Sequence, residues 1–258
     1  MKINIILTFA LFFSIQSIHL NRIMPRKTLQ AEDDKDYTKY PAISIKTFIP
    51  NKNIFIVDTR NNTISNEGYI KNSILLPLTM SYETWFPAVI KEDSNVVLIC
   101  DITNYKEALK KTESLGSYNL LGYAIYKEII KDESIEIQVA EYNGNTRKDV
   151  DKLVQKGKYL LDVREENEYK ETGVIEQAHL IPLTTFNTEY VNVPKDEDIY
   201  IFCKGGGRAL TAMSFLQRAG YNQKLVIMKG GMSQTIKEEY PLVKYSKKHD
   251  DDEEEDDE

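Results

Sequence analysis

Short apolar runs, separated by polar stretches with helical spacing, dominate the chain. In its second half such runs predict strands near residues 135–139, 159–163, 178–183, 199–203 and 225–228. They are continuous rather than alternating, the pattern of strands buried on both faces of a parallel sheet. Between them Thr146 is placed to cap a helix reaching about Gln155, which Gly157 ends. Leu210, Met213, Phe215 and Leu216 fall at mostly helical spacing within 209–219, and Gly220 closes that segment. The reading is α/β, with sheets flanked by helices.

The same series occurs twice. Ile54-Phe55-Ile56-Val57-Asp58-Thr59-Arg60, Gly68-Tyr69-Ile70 and Ser73-Ile74-Leu75-Leu76-Pro77-Leu78 are echoed by Tyr159-Leu160-Leu161-Asp162-Val163-Arg164, Gly173-Val174-Ile175 and Ala178-His179-Leu180-Ile181-Pro182-Leu183. Asp58 and Asp162 are 104 positions apart, Pro77 and Pro182 105, and Cys100 and Cys203 103. Offsets this steady predict duplicated domains. The expected division is a leader at 1–20, a linker at 21–39, domains at 40–132 and 133–245, and an acidic tail at 246–258.

Charge changes this picture only at the ends. Residues 250–258 are nine consecutive acids, and removing them from the formal net charge of −7 leaves +2, so no nucleic-acid-binding surface is implied. The tail is expected to be solvating, with weak calcium binding or a basic partner as the alternative. Residues 3–18 are mainly apolar after Met1-Lys2, which resembles a secretory signal peptide. That predicts the secretory pathway or secretion, and membrane contact only if the leader is retained. A mitochondrial presequence and cytoplasmic translation from Met24 are the alternatives. Two cysteines make no disulfide framework, and three histidines spread over leader, body and tail make no metal site, so no cofactor or metal is expected.

The candidate chemistry lies in Cys203-Lys204-Gly205-Gly206-Gly207-Arg208, between the run 199–202 and the helix-like segment after it. Consecutive glycines reach positive φ cheaply and can turn their N–H groups around a sulfur anion. A helix start and Arg208 add positive charge, a setting in which a thiol pKa of ~8.5 can fall to roughly 3.5–7.5. The competing reading is a core cysteine beside a glycine turn. Cys100 is followed by Asp101-Ile102-Thr103-Asn104-Tyr105, with no glycine and with Tyr105 where the other half has Arg208. It is expected to be an unreactive residue at a strand end, unpaired with Cys203.

Together these segments resemble tandem rhodanese domains from about Tyr40 to Tyr245. The resemblance rests on Asp162-Val163-Arg164 with Glu165, Glu168 and Tyr169, on Gly173-Val174-Ile175 with Ala178-His179-Leu180-Ile181-Pro182, on residues 203–208, and on Lys229-Gly230-Gly231. Val174 replaces a histidine frequent in the family, and no tryptophan follows Gly231. The resemblance implies two rhodanese-like domains, each a mostly parallel sheet flanked by helices, the first degenerate and the second active.

It implies a sulfurtransferase of the thiosulfate:cyanide type, in which Cys203 takes a sulfane sulfur from thiosulfate or a persulfide and passes it to cyanide, a thiol or a protein acceptor. Lys204, Gly205, Gly206, Gly207 and Arg208 would bind the donor, with Lys204 alternatively a solvated loop residue. Asp162 and Arg164 are assigned to structure, Arg164 pairing with Glu168 or another nearby acid; its alternative is an anion ligand. His179 is expected to be a core or loop-bracing residue rather than a base. The rivals are a persulfide carrier or interaction module without turnover, a related phosphatase, whose Cys-to-Arg loop has five intervening residues rather than four, and a persulfide dioxygenase fusion, for which this chain lacks the length and the histidines.

Overall fold

Strands in chain order are β1 (Ile54–Asp58), β2 (Tyr69–Ile70), β3 (Ile74–Leu75), β4 (Asn95–Cys100), β5 (Asn119–Ile125), β6 (Ile137–Gln138), β7 (Glu141–Asn143), β8 (Tyr159–Asp162), β9 (Ala178–Leu180), β10 (Ile199–Phe202) and β11 (Leu225–Met228). Helices are α1 (Tyr82–Val89), α2 (Tyr105–Ser114), α3 (Tyr126–Ile129), α4 (Arg147–Gln155), α5 (Glu166–Thr172), α6 (Phe186–Glu189), α7 (Gly207–Arg218) and α8 (Gly231–Lys237). This computed structural model describes residues 37–61, 67–79 and 81–246. The expected leader, most of the linker and all but the first residue of the acidic tail lie outside them. Ahead of Tyr40 one 3-10 turn, Tyr37–Lys39, is described; the chain from Tyr40 onward forms a separate compact unit.

That unit contains two parallel sheets of matching order, β3-β1-β4-β5 and β9-β8-β10-β11-β7. Their registers correspond as well. Asp58 lies opposite Leu75 and Ile99, and Asp162 opposite Leu180 and Phe202. Just past the strands, Thr59 N–H donates to Ile99 O and Val163 N–H to Phe202 O, both at 2.9 Å. The steady offsets in sequence are therefore offsets between equivalent places in two sheets. Residues with no polar face, such as Val97, Leu98, Leu161, Ile201 and Ile227, are buried in them.

Each sheet carries the same buried ion pair. Arg60 Nη2 reaches Asp58 Oδ2 at 2.7 Å and Gly68 O at 2.7 Å; Arg164 Nη2 reaches Asp162 Oδ2 at 2.7 Å and Gly173 O at 3.0 Å. Burial pushes both aspartate carboxyls up, against the guanidiniums that pull them back. Each guanidinium thus ties a strand end to a glycine turn, a structural role whose loss would leave a buried charge unpaired.

The local helix signals behave as their chemistry requires. Thr146 Oγ1 accepts from Asp149 N–H at 3.2 Å while Asp149 Oδ2 accepts from Thr146 N–H at 3.1 Å, a capping box that starts α4. Gly157 at φ +59° follows its end. The strand expected at 135–139 is different. Only Ile137–Gln138 is extended, and it pairs antiparallel with β2. The sheet edge is instead β7, beside β11. An edge strand is held from one side through its backbone and needs no apolar run, which is why the apolar pattern does not mark Glu141-Tyr142-Asn143.

Helix α7 joins the two sheets. Thr211 Oγ1 donates to Leu75 O at 2.7 Å and Leu75 N–H donates to Ser214 Oγ at 2.9 Å. Two hydroxyls on one helix face thereby satisfy the open edge of β3. Further along, Gln217 Oε1 accepts from Tyr69 at 2.9 Å, and Arg218 Nη2 reaches Lys52 O at 2.6 Å and Ile54 O at 3.0 Å.

Candidate active site

Strand β10 runs in the middle of its sheet and delivers Cys203 at its carboxyl end, where ligands bind in open α/β sheets. Cys203 is 2% exposed, and its Sγ accepts from Gly206 N–H at 3.1 Å. Gly206 sits at φ +115°, a conformation open to glycine, and is the N-cap of α7, so the helix begins at the sulfur.

The other side of the loop is pinned by α8. Met232 N–H donates to Cys203 O at 2.8 Å and Ser233 N–H to Lys204 O at 3.0 Å. Because a trans peptide sets N–H opposite C=O, these bonds turn the Lys204 and Gly205 N–H groups away from α8. The approach requires a glycine: a Cβ on Gly231 would lie 2.2 Å from Cys203 O. Asn145 Nδ2 donates to Gly231 O at 2.7 Å and Asn145 Oδ1 accepts from Thr235 Oγ1 at 3.2 Å, completing a buried clamp.

Above the sulfur opens a cavity of about 350 Å³. Cys203, Lys204, Gly205, Gly207 and Arg208 form one side, with Lys204 and both glycines exposed. The first half supplies the facing wall: Leu76, Pro77, Thr79 and Trp85. Sequence reasoning missed these four. The available signal was that Trp85 is the chain's single tryptophan.

Arg208 is not free. Its Nη1 and Nη2 meet Glu168 Oε2 and Oε1 at 2.5 and 2.8 Å, and its guanidinium lies 5.4 Å from the Trp85 ring centroid. Burial would lower the Arg208 pKa, but the hydrogen bond to Glu168 and the neighbouring charges of Cys203, Glu168 and Glu165 raise it. Burial would likewise raise Glu168; hydrogen bonds from Arg208 and the Glu165 N–H, with the charges of Arg208 and Arg164, hold its carboxyl below the usual range. A second carboxylate stands near: Glu165 Oε1 is 4.0 Å from Arg208 Nη1 and has no hydrogen-bond partner among the described residues. Arg164 pairs with Asp162, as its nearest acid, and touches Glu168 only through the backbone carbonyl at 3.5 Å.

His179 lies on β9, two strands from β10, and is exposed, its ring stacked 3.9 Å from that of Tyr159. The expected core placement is corrected, because its side of this edge strand faces solvent; the ring packs instead on Tyr159 of β8. Cys100 is wholly buried, receives a hydrogen bond from Thr59 Oγ1 at 3.5 Å, and is pushed up to about 12, first by burial and then by the charges of Asp58 and Asp101. Tyr105, in the place of Arg208, stacks on Tyr123 at 4.8 Å.

Comparison with known proteins bears on the second half. Residues 146–238 match the family model for a rhodanese-like domain. A sulfurtransferase of Allochromatium vinosum is 29% identical over 84 residues, which cover 33% of this chain and 77% of that protein. Among solved structures, a rhodanese-related protein from Thermoplasma volcanium is similar at 27% identity and a TM-score of 0.36, covering 41% of this chain and 99% of that one. A rhodanese-like domain protein from Staphylococcus aureus is 28% identical at a TM-score of 0.32, covering 36% of this chain and 90% of that one.

Proposed function

From a chain whose residues 146–238 form a rhodanese-like domain, we propose a sulfurtransferase that works through a Cys203 persulfide, within a tandem pair whose first domain, 40–132, is catalytically degenerate. The observation that carries this is the Gly206 N–H on the Cys203 sulfur, at the base of a cavity and at the start of α7. The thiolate attacks the outer sulfur of a sulfane donor, thiosulfate or a persulfide. A second nucleophile, cyanide or a thiol, then takes that sulfur and restores the thiolate. Amide donors at the loop favour negative charge on sulfur in both steps. No external base is needed once the thiolate has formed.

Loop length supports sulfur over phosphate as cargo, since four residues between Cys203 and Arg208 enclose less space than five. With Arg208 tied to Glu168, an incoming phosphate would also have to displace a carboxylate. The test is sulfur transfer from thiosulfate and from an organic persulfide to cyanide, for the wild type, Cys203→Ser and Cys100→Ser. Loss of turnover only in Cys203→Ser is expected. Retained turnover in that variant rejects the proposal, and one added sulfur at Cys203 without turnover replaces it with a carrier. The leader belongs to the same proposal as a secretory signal; imaging a tagged chain beside one beginning at Met24 tests it.

A further inference from the structure

Resting on that sulfurtransferase reading, we infer that Asn145, which does not line the cavity, is a positioning residue for sulfur transfer: acting through α8, it sets the orientation of the peptide groups around Cys203. The starting point is a polar side chain buried where an apolar one would fill the space. Asn145 is 3% exposed, and Thr235, its partner on α8, is wholly buried. Taking an amide out of water costs free energy unless its donor and acceptor are both bonded. Here both are. Nδ2 donates to Gly231 O and Oδ1 accepts from Thr235 Oγ1, so one planar group grips α8 at two points about one turn apart.

The backbone of Asn145 is itself fixed on both sides. Just before it, Asn143 ends β7 opposite Met228 of β11, and Lys229 N–H donates to Asn143 O at 3.1 Å. Just after it, Thr146 and Asp149 close the capping box of α4. Asn145 is therefore a fixed point beside the sheet, and α8 is registered against it. Apolar contact alone would hold α8 down without fixing its register, because it is non-directional. Hydrogen bonds have preferred angles and do fix it.

That register is felt at the sulfur. Met232 N–H and Ser233 N–H hold Cys203 O and Lys204 O, and Gly231 approaches so closely that a small shift of α8 has no gap to absorb it. The shift instead rotates the two peptide planes held by those carbonyls, since each plane is rigid. Their opposite edges carry the Lys204 and Gly205 N–H groups, and the next plane carries the Gly206 N–H that donates to Cys203 Sγ. With thiosulfate, the Cys203 thiolate forms a bond to the outer sulfur while the donor's S–S bond breaks. The bonding pair leaves on sulfite, and the negative charge ends on the transferred sulfur. Misaimed amides stabilise that charge less as it develops, so the chemical step slows. Donor affinity draws on Lys204, Arg208 and the facing wall from the first half, and is kept.

The fold should survive loss of the amide, because Met232 keeps α8 packed against Val150, Leu160, Phe202 and Met228. The test is a single-turnover measurement of sulfur loading at Cys203 in the full chain, quenched over time and read by intact mass. The donor is thiosulfate or, where the wild type loads faster from it, benzyl persulfide. Asn145→Ala is expected to lower the maximal loading rate by about tenfold, with the half-saturating donor concentration within about twofold of the wild type. Thr235→Val keeps the shape but loses the hydroxyl that orients the amide, and its rate is expected to fall in the same direction. Thr235→Ser keeps the hydroxyl and is expected to load at close to the wild-type rate.

A wild-type loading rate in folded Asn145→Ala, or equal rates in Thr235→Val and Thr235→Ser, overturns the inference and leaves the sulfurtransferase reading intact. A raised half-saturating concentration at an unchanged maximal rate also overturns it, because Asn145 would then act on binding. Should Asn145→Ala fail to fold, the two Thr235 variants decide the matter alone. A wild type that gains no sulfur from either donor overturns both readings.

Discussion

Two cysteines at equivalent strand ends differ through their immediate neighbours. Cys100 is enclosed and flanked by Asp58 and Asp101, so its thiol is held at about 12. Cys203 faces a cavity and receives an amide hydrogen bond. Iodoacetamide applied to the native protein near neutral pH is expected to label Cys203 well before Cys100, and peptide mapping over time would read the order. Glu168 makes a second prediction at this scale. Its folded pKa lies below the ordinary value, so its pair with Arg208 contributes stability above the ordinary carboxylate range, which is lost as pH falls through the folded value. Glu168→Gln should therefore be less stable than the wild type near neutral pH, with the gap closing in acid. Urea midpoints across that range would measure it, and a pH-independent gap would contradict the assignment. Asp162 and Arg164 were legible as structural residues from sequence; the matching Asp58–Arg60 pair emerged from the structure. The Glu168–Arg208 contact was not, because 40 residues separate the partners and either could have met another charge.

At the scale of elements, the loop at residues 203–208 is shaped from outside. Helix α8 approaches so closely that its first residue must be Gly231, at φ +55° and with no room for a Cβ. Gly231→Ala is expected to cost more than about 1 kcal/mol of stability, since alanine is strained at positive φ. It should also lower sulfur transfer by pushing the Cys203 and Lys204 carbonyls aside, so kcat is expected to fall even in protein that remains folded by circular dichroism. Helix α7 gives a separate test. Ser214→Ala removes the acceptor of the buried Leu75 N–H, and an unsatisfied buried donor costs roughly 1–3 kcal/mol. For a chain of this length that lowers Tm by about 2–4 °C per kcal/mol, measurable by calorimetry. The helix itself was evident from Leu210, Met213 and Leu216. Its buried polar stripe was not, because Thr211 and Ser214 look like solvent-facing residues until β3 lies against them.

Across the whole molecule, the two sheets with one topology meet at α7, and the half that carries Cys100 walls the cavity beside Cys203. Since Trp85 is the chain's single tryptophan and lines that cavity, sulfur loading at Cys203 should change its fluorescence. A titration of the reduced protein with a sulfane donor would follow this directly, and Cys203→Ser should abolish the change. The α/β class, the duplicated pattern, the capped helix α4 and the contrast between Cys100 and Cys203 could all be read from the chain alone, because each depends on spacing within a few residues or on a repeat. Chain order did not reveal that Leu76, Pro77 and Trp85 face the Cys203 loop, or that Arg208 is neutralised in place. Those are contacts between surfaces brought together by burial of α7, and close packing selects them by shape and charge from many partners that the sequence leaves equally open.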